Sequence, residues 1–436
     1  SYGDSPYQSF SAVAGNTHLI DFDLLTQMGL LKEADYASVN FGDDPTSVDY
    51  ERVFYARRPI LEIAVKNFLE NQSFQADFKH FEKSNRLWLD DFAEFMAIKE
   101  HFGNQALQKW DDKKAVARDP SALEKYRTML AEQIQYFKVT QYFFFKQWTE
   151  LKNYANQKGI QIIGDMPIYV AADSVEVWTK PELFQLDEER NPLFVAGVPA
   201  DQFSATGQLW GNPLYAWEEH KKQGYAWWIH RIEESFKIYD VLRIDHFKGF
   251  SDYWQVDGKA EVAKDGSWQP GPGYDLFKAV KEQLGDLPII AEDLGNIDDK
   301  ARKLLTDCNY PGMKILQFGF EDVSGESLDS PHYCIPHSIV YTGTHDNDVT
   351  NGWYNSLTEQ QQQYINDYTH RHEDESICQA MIRQLFATVS NTAIATMQDV
   401  LDLPASSRMN VPSTIGGNWQ WRMQQSDLTQ DKKDFL

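Results

Sequence analysis

The chain carries two hydrophobic rhythms that change over at Gly159. From about residue 46 to 158, apolar residues recur at helical spacing. Ser121 and Glu124 form an S-x-x-E capping box, with apolar positions following at Tyr126, Met129, Leu130, Ile134 and Phe137. That pattern predicts one long helix running to Gly159. Residues 1 to about 45 are instead rich in turn formers, as in Gly3-Asp4-Ser5-Pro6, with one short apolar segment at 19–25. Beyond Gly159 come short apolar runs at 160–164, 241–244, 288–291, 313–318 and 339–341, with helical patterns between several of them, as at 225–239 and 274–284. Near-continuous apolar strands alternating with helices predict βαβ units and a parallel sheet buried on both faces.

Each run leads into an acid: Asp165, Asp245, Glu292 and Asp346, with the run ending at Phe318 leading to Glu321. Polar groups gathered after successive strands predict an α/β fold of the (β/α)8 TIM barrel type, its chemistry at the C-terminal face. A doubly wound open sheet would give the same alternation, but it usually carries a glycine-rich phosphate loop, and the sequence has neither G-x-G-x-x-G nor a Walker A motif. Residues 1–436 are expected to be one catalytic domain, with 46–158 a largely helical insertion and 171–222 a loop-rich insertion over the cleft.

Three clusters could carry chemistry. In Val241-Leu242-Arg243-Ile244-Asp245, strand alternation puts Arg243 and Asp245 on one face. A guanidinium there would hold the carboxylate ionised and oriented; the plainer alternative is a structural ion pair. Glu292 follows an apolar strand, where desolvation would raise its pKa and suit it to donate a proton, unless it merely caps the next helix. Asp293 should point the other way. His345-Asp346-Asn347-Asp348 is either a reactive cluster or a solvated turn. Asp, Glu and Asp on one rim are a set suited to retaining glycosidic chemistry, for which two carboxyl groups stand about 5–5.5 Å apart.

Composition narrows this further. With 436 residues the chain is long enough for one barrel with insertions or for two to three smaller domains. Hydrophobic residues at 42% provide a large core and exclude wholesale disorder. A net charge of −24 repels phosphate backbones and anionic lipid, which argues against nucleic-acid or membrane partners. The 13 Trp, 21 Tyr and 26 Phe suggest exposed platforms for sugar rings as well as core. Trp88 and Trp110, in the helical zone, read as core. Cys308, Cys334 and Cys378 have no paired spacing, which favours a reducing, cytoplasmic compartment. No run approaches 18 apolar residues. The eleven His show no metal spacing, so no metal and no cofactor are expected.

Taken together, the words of the sequence resemble the amylomaltases (4-alpha-glucanotransferases) of glycoside hydrolase family 77. They are Ser5-Pro6-Tyr7-Gln8-Ser9, Ala14-Gly15-Asn16, Gly164-Asp165-Met166-Pro167-Ile168-Tyr169-Val170, Trp210-Gly211-Asn212-Pro213, the stretches around Asp245, Glu292 and Asp346, and Asn418-Trp419-Gln420-Trp421-Arg422. The resemblance implies Asp245 as nucleophile, Glu292 as general acid/base and Asp346 as transition-state stabiliser. It further implies that Arg243 orients Asp245, that His345 binds hydroxyls of the attached sugar, and that Tyr7 stacks on it. Ser5, Asp165, Phe203, Trp210 and Asn418 would line the substrate, Phe203 and Trp210 on the acceptor side. The implied substrates are malto-oligosaccharides and α-1,4-glucans derived from starch or glycogen, with glucose as an acceptor. Two departures stand out. The relatives' segment with the first barrel strand, which precedes the Ser-Pro-Tyr word, is absent here, as is part of the last helical stretch, so a longer protein is expected. Ser413 stands where relatives usually have Gly. Rival readings are a hydrolase of the same clan, a metal-dependent barrel lyase holding Mg²⁺ on the three acids, and a non-catalytic glucan-binding protein.

Overall fold

The computed structural model describes residues 2–200, 206–295 and 297–435. Its strands are β1 (Ile163–Met166), β2 (Phe194–Val198), β3 (Gln208–Pro213), β4 (Val241–Ile244), β5 (Asp252–Asp257), β6 (Ser267–Pro270), β7 (Ile289–Ala291), β8 (Gly312–Ile315), β9 (Ser338–Tyr341) and β10 (Thr392–Ile394). Six of them are parallel, in the orders β1-β4-β7 and β8-β9-β10. The two groups adjoin: Ala291 N–H donates to the Pro311 carbonyl (3.0 Å), and Met313 N–H donates to the Asp293 carboxylate (2.7 Å). The parallel strands thus follow one another in chain order, the arrangement that helix crossovers impose.

Alternation sorts the strand residues. Leu242, Ile244, Ile289 and Ala291 join the large core beneath the helices, whereas Ile290, Met313, Ile315, Ile339 and Tyr341, with Val241 and Ile394, make a separate cluster on the other face. On that second face the polar residues Asp165 and Arg243 stand directly opposite each other across β1 and β4. Gly164 belongs to the first face: a Cβ there would overlap the Tyr239 ring, so only glycine lets the strand and that ring pack.

The zone from Tyr50 to Gln157 is helical, as expected, in five long segments: Tyr50–Glu70, Gln75–Ser84, Arg86–His101, Pro120–Met129 and Ala131–Gln157. The single helix expected from Ser121 is two. Pro120 takes the first helical position and Asp119 is the cap, accepting from the amides of Ser121 (3.0 Å) and Ala122 (3.3 Å). Ser121 is already inside the first turn. At Leu130 the backbone leaves the helical region (φ −111°), yet Leu130 N–H still bonds Tyr126 and Ile134 N–H still bonds Leu130. The apolar spacing therefore runs through the break without a mark. Trp88 and Trp110 are both buried.

Other boundaries also moved. Ile160 is not strand: its N–H donates to the Ala155 carbonyl behind Gly159 (φ +76°), closing the helix, and β1 starts at Ile163. The run at 313–318 divides into β8 and a helix, Leu316–Glu321. Glu321 therefore ends a helix rather than a strand, and lies exposed. An antiparallel sheet, β3-β2-β5-β6, was not anticipated. Val195 and Val256, in register across β2 and β5, are buried with Ala263 in a small cluster of their own, so these strands lack the polar alternation of a solvated sheet. Among the described residues no helix is long and apolar enough to cross a membrane.

Candidate active site

The site is built from the C-terminal ends of β1, β4, β7 and β9. Arg243, only 7% exposed, directs one nitrogen, Nη1, at both oxygens of Asp165 (2.7 Å each) and at Asp245 Oδ1 (3.2 Å). Arg243 does contact Asp245, but the expectation that it holds that carboxyl's pKa low is corrected, because burial outweighs it. The guanidinium is chiefly Asp165's partner. Asp245 has 27% of its side chain open to the cleft, and its pKa is raised well above the ordinary carboxyl value. Burial is the largest cause; Arg243 opposes it, and the nearby charges of Glu292, Asp165 and Asp346 add to it.

Glu292 sits beside it. The backbone N–H of Glu292 bonds the Ile244 carbonyl, and that of Phe247 bonds the Glu292 carbonyl (3.0 Å each), which locks the ends of β4 and β7 together. The carboxyl group accepts from His246 N–H on Oε2 (2.7 Å) and from Leu294 N–H on Oε1 (2.8 Å). Its pKa is nevertheless raised, because burial outweighs Arg243 and the two amides. As expected, Asp293 turns away, accepting from Met313 N–H at the junction of the two parallel groups.

The third acid is fixed from another direction. Asp346 Oδ1 accepts from the Asn410 amide (2.6 Å), and its carbonyl accepts from Arg408 (2.8 Å). Next to it, His345 Nε2 lies 2.8 Å from the Tyr7 hydroxyl and 3.4 Å from Asp346 Oδ2. Tyr7 has one proton to give, and Asp165 Oδ2 takes it at 2.6 Å; His345 Nε2–H must then be the donor to Tyr7. Burial raises the Tyr7 pKa strongly, so the phenol keeps that proton. The rings of Tyr7, His345 and Trp419 meet at centroid distances of 5.2–5.9 Å.

Seven residues singled out in the sequence therefore share one cleft: Tyr7, Asp165, Arg243, Asp245, Glu292, His345 and Asp346. Ser5 acts one step back: it caps the turn holding Tyr7, accepting from Tyr7 N–H (3.3 Å) with Pro6 at the first position. Trp210 stands edge-on to His246 (centroids 4.8 Å apart), the residue that follows Asp245. Burial, with Lys248 next, lowers the His246 pKa to about 4, so this ring is neutral at pH 7. Asn418, expected to touch substrate, instead spends its amide inside its own loop, on Val411 N–H and on Thr414. It is 8% exposed and braces the segment that presents Asn410 and Trp419. Phe203 lies outside the described residues. Asn410 and Arg408 carry no local signal, since their partner Asp346 is over 60 residues away, and Trp419 is marked only as part of the Asn418–Arg422 word, with no role assigned to it. Among the described residues no group of His, Cys, Asp and Glu is placed to hold a metal. Arg243 already fills the position between Asp165 and Asp245 where a cation would sit.

The family profile described as 4-alpha-glucanotransferase, glycoside hydrolase family 77, matches residues 1–429. This chain belongs to that family. The 4-alpha-glucanotransferase of Streptococcus pneumoniae is 54% identical over 430 residues, covering 98% of this chain and 85% of that protein. The enzyme of Clostridium butyricum is 43% identical over 435 residues, covering 99% and 88%. Among solved structures, the amylomaltase of Streptococcus agalactiae in complex with acarbose superposes with a TM-score of 0.98 at 60% identity, over all of this chain and 88% of that one. The activity is that of a 4-alpha-glucanotransferase, and the mixed α/β architecture is that of the solved amylomaltase.

Proposed function

We propose that the chain transfers α-1,4-glucan segments between malto-oligosaccharides by retaining double displacement, with Asp245, Glu292 and Asp346 as its three acids. The observation that carries this reading is the pairing of Asp245 and Glu292 on neighbouring strands, with the Glu292 carboxyl bonded to the amide of the residue after Asp245. Glu292 protonates the departing glycosidic oxygen while Asp245 attacks C1, which leaves a β-linked glucosyl-enzyme. Glu292, now a carboxylate, takes the proton of the incoming 4-hydroxyl as that oxygen displaces Asp245, and the α configuration returns. Asp346, oriented by Asn410, stabilises the oxocarbenium-like transition state, and His345 and Tyr7 contact the sugar attached to Asp245. Arg243, bonded to Asp245 Oδ1, opposes the upward push of burial on that carboxyl and holds it in place during attack.

In this reading the six parallel strands are part of a (β/α)8 barrel, residues 46–158 are a helical insertion, and 171–222 form a loop-rich insertion over the cleft that shares its sheet with β5 and β6. Donors are malto-oligosaccharides and glucans from starch or glycogen, and glucose is an acceptor; the acarbose complex of the Streptococcus agalactiae relative supports this class. Three free thiols suit a cytoplasmic setting. Incubation with maltotriose alone should give glucose and a ladder of longer oligomers, and Asp245→Asn or Glu292→Gln should abolish it. Glucose and maltose without longer products would make the protein a hydrolase instead.

A further inference from the structure

We propose that Trp268, on β6, the edge strand opposite the one that carries Trp210 in the antiparallel sheet, forms a remote subsite for α-1,4-glucan. The inference rests on the transfer reading above. Trp268 keeps 44% of its surface in solvent, on the order of 100 Å² for an indole side chain. An exposed indole of that size is the apolar platform on which the CH face of a glucosyl ring stacks. It is a held platform: Trp268 faces Trp254 in register across β5 and β6, and the two rings stand 5.2 Å apart at 68°. Trp254 itself is pinned, donating from Nε1 to the Ala263 carbonyl (2.7 Å).

The link to the cleft is Lys248. It lies three residues beyond Asp245, places its ammonium 4.5 Å from the Trp268 ring centre, and pairs with Asp252 and with Asp298 Oδ2 (2.9 Å). Asp298 in turn follows Glu292 by six residues and caps the helix Asp299–Cys308. Two ion pairs and the contact with the indole therefore make Lys248 the tie between the turns after β4 and β7, which carry Asp245 and Glu292, and the Trp268 hairpin. The reach of the chain from Asp245 to Lys248, plus that side chain, places the indole within about 20 Å of Asp245, a span of a few sugar units. Asp298, which accepts from the same ammonium that lies over the ring, keeps 43% of its side chain exposed. Stacking on a fixed indole without a new cavity suits a long, repetitive, uncharged ligand, and a glucan in transit through the neighbouring cleft is one.

The test is chain-length dependence in the full chain. The ratio of kcat/KM for maltoheptaose to that for maltotriose should fall five- to tenfold in Trp268→Ala, corresponding to the loss of about one aromatic contact. Trp268→Tyr, which keeps a flat ring, should hold the ratio within twofold of the parent. A ratio unchanged in Trp268→Ala would overturn the subsite. So would a concentration-dependent dimer in sedimentation that Trp268→Ala dissociates, because the indole would then belong to a contact between two copies. Failure of the parent protein to make any ladder from maltotriose would instead remove the transfer reading itself, and the two failures are distinguishable.

Discussion

Replacing Arg243 by Lys isolates the role of the guanidinium fork at constant charge. In the structure Nη1 alone makes three contacts, two at 2.7 Å to Asp165 and one at 3.2 Å to Asp245. A shorter-headed ammonium cannot hold both acids in that geometry. Charge-assisted hydrogen bonds of this kind contribute roughly 1.5–3 kcal/mol each, so losing one to two of them from the reacting complex costs about 2–4 kcal/mol. That corresponds to a fall in kcat/KM of roughly 30- to 1000-fold. The pH dependence gives a second, independent reading. Arg243 is the influence that lowers the Asp245 pKa against burial. Weakening it lets that pKa climb further. The reaction needs ionised Asp245, which is present above its pKa and lost as pH falls through it, so the acid limb of kcat/KM should move to higher pH. The assay is the initial rate of glucose release from maltotriose across pH 4–9 by coupled detection, with near-UV circular dichroism to establish that the variant is folded. A folded Arg243→Lys enzyme that loses less than threefold, with its acid limb unmoved, would refute the reasoning.

Burial also makes the cleft a local cost to stability. The folded pKa of Asp245 is raised, so its protonated form is favoured by folding; that contribution is present below the unfolded value and lost as pH rises through the folded one. Asp245→Asn should therefore stabilise the inactive protein at pH 7 by on the order of 1 kcal/mol, seen by calorimetry, with the gain shrinking towards acid pH; a lower Tm would contradict the sign. Ser413 sits at φ +64°, in the left-handed region that penalises a Cβ. Ser413→Gly should raise the urea midpoint by an amount equivalent to about 0.5–1 kcal/mol, and a fall would mean that the serine side chain compensates for the strain. Trp210 packs on His246 next to Asp245; Trp210→Ala should raise the ratio of hydrolysis to transfer by admitting water, measured as free reducing ends per longer oligomer formed, and an unchanged ratio would exclude it from water control. Because Arg243 fills the place of a cation, treatment with EDTA should leave the rate within experimental error; loss restored by Mg²⁺ would revive the metal-dependent alternative.

Several features of this protein were legible along the chain because their causes are local. Strand alternation alone put Arg243 and Asp245 on one face and Leu242 and Ile244 on the other, and the structure divides them so. The apolar runs before Asp245, Glu292 and Asp346 marked buried strands whose polar ends gather on one rim, whereas the run before Asp165 is largely exposed and only its end is strand; the family words then named the chemistry. Tertiary structure decided what depends on distance in space rather than in sequence. Which acid Arg243 serves first was settled by the register of β1 against β4, which sets Asp165 opposite it. The direction of the Asp245 pKa followed from burial among three other carboxyl groups, a many-body effect that no single neighbour reveals. Asn418 and Asn410 look alike in sequence, two amides in one loop, yet one is turned inward to brace the loop and the other is aimed at Asp346. The antiparallel sheet depends on β2 meeting β5 from far along the chain, and the break at Leu130 leaves the periodicity intact. Local chemistry determines the elements and the candidate acids; the packing of distant segments determines which charges meet, how deeply they are buried and what they can do.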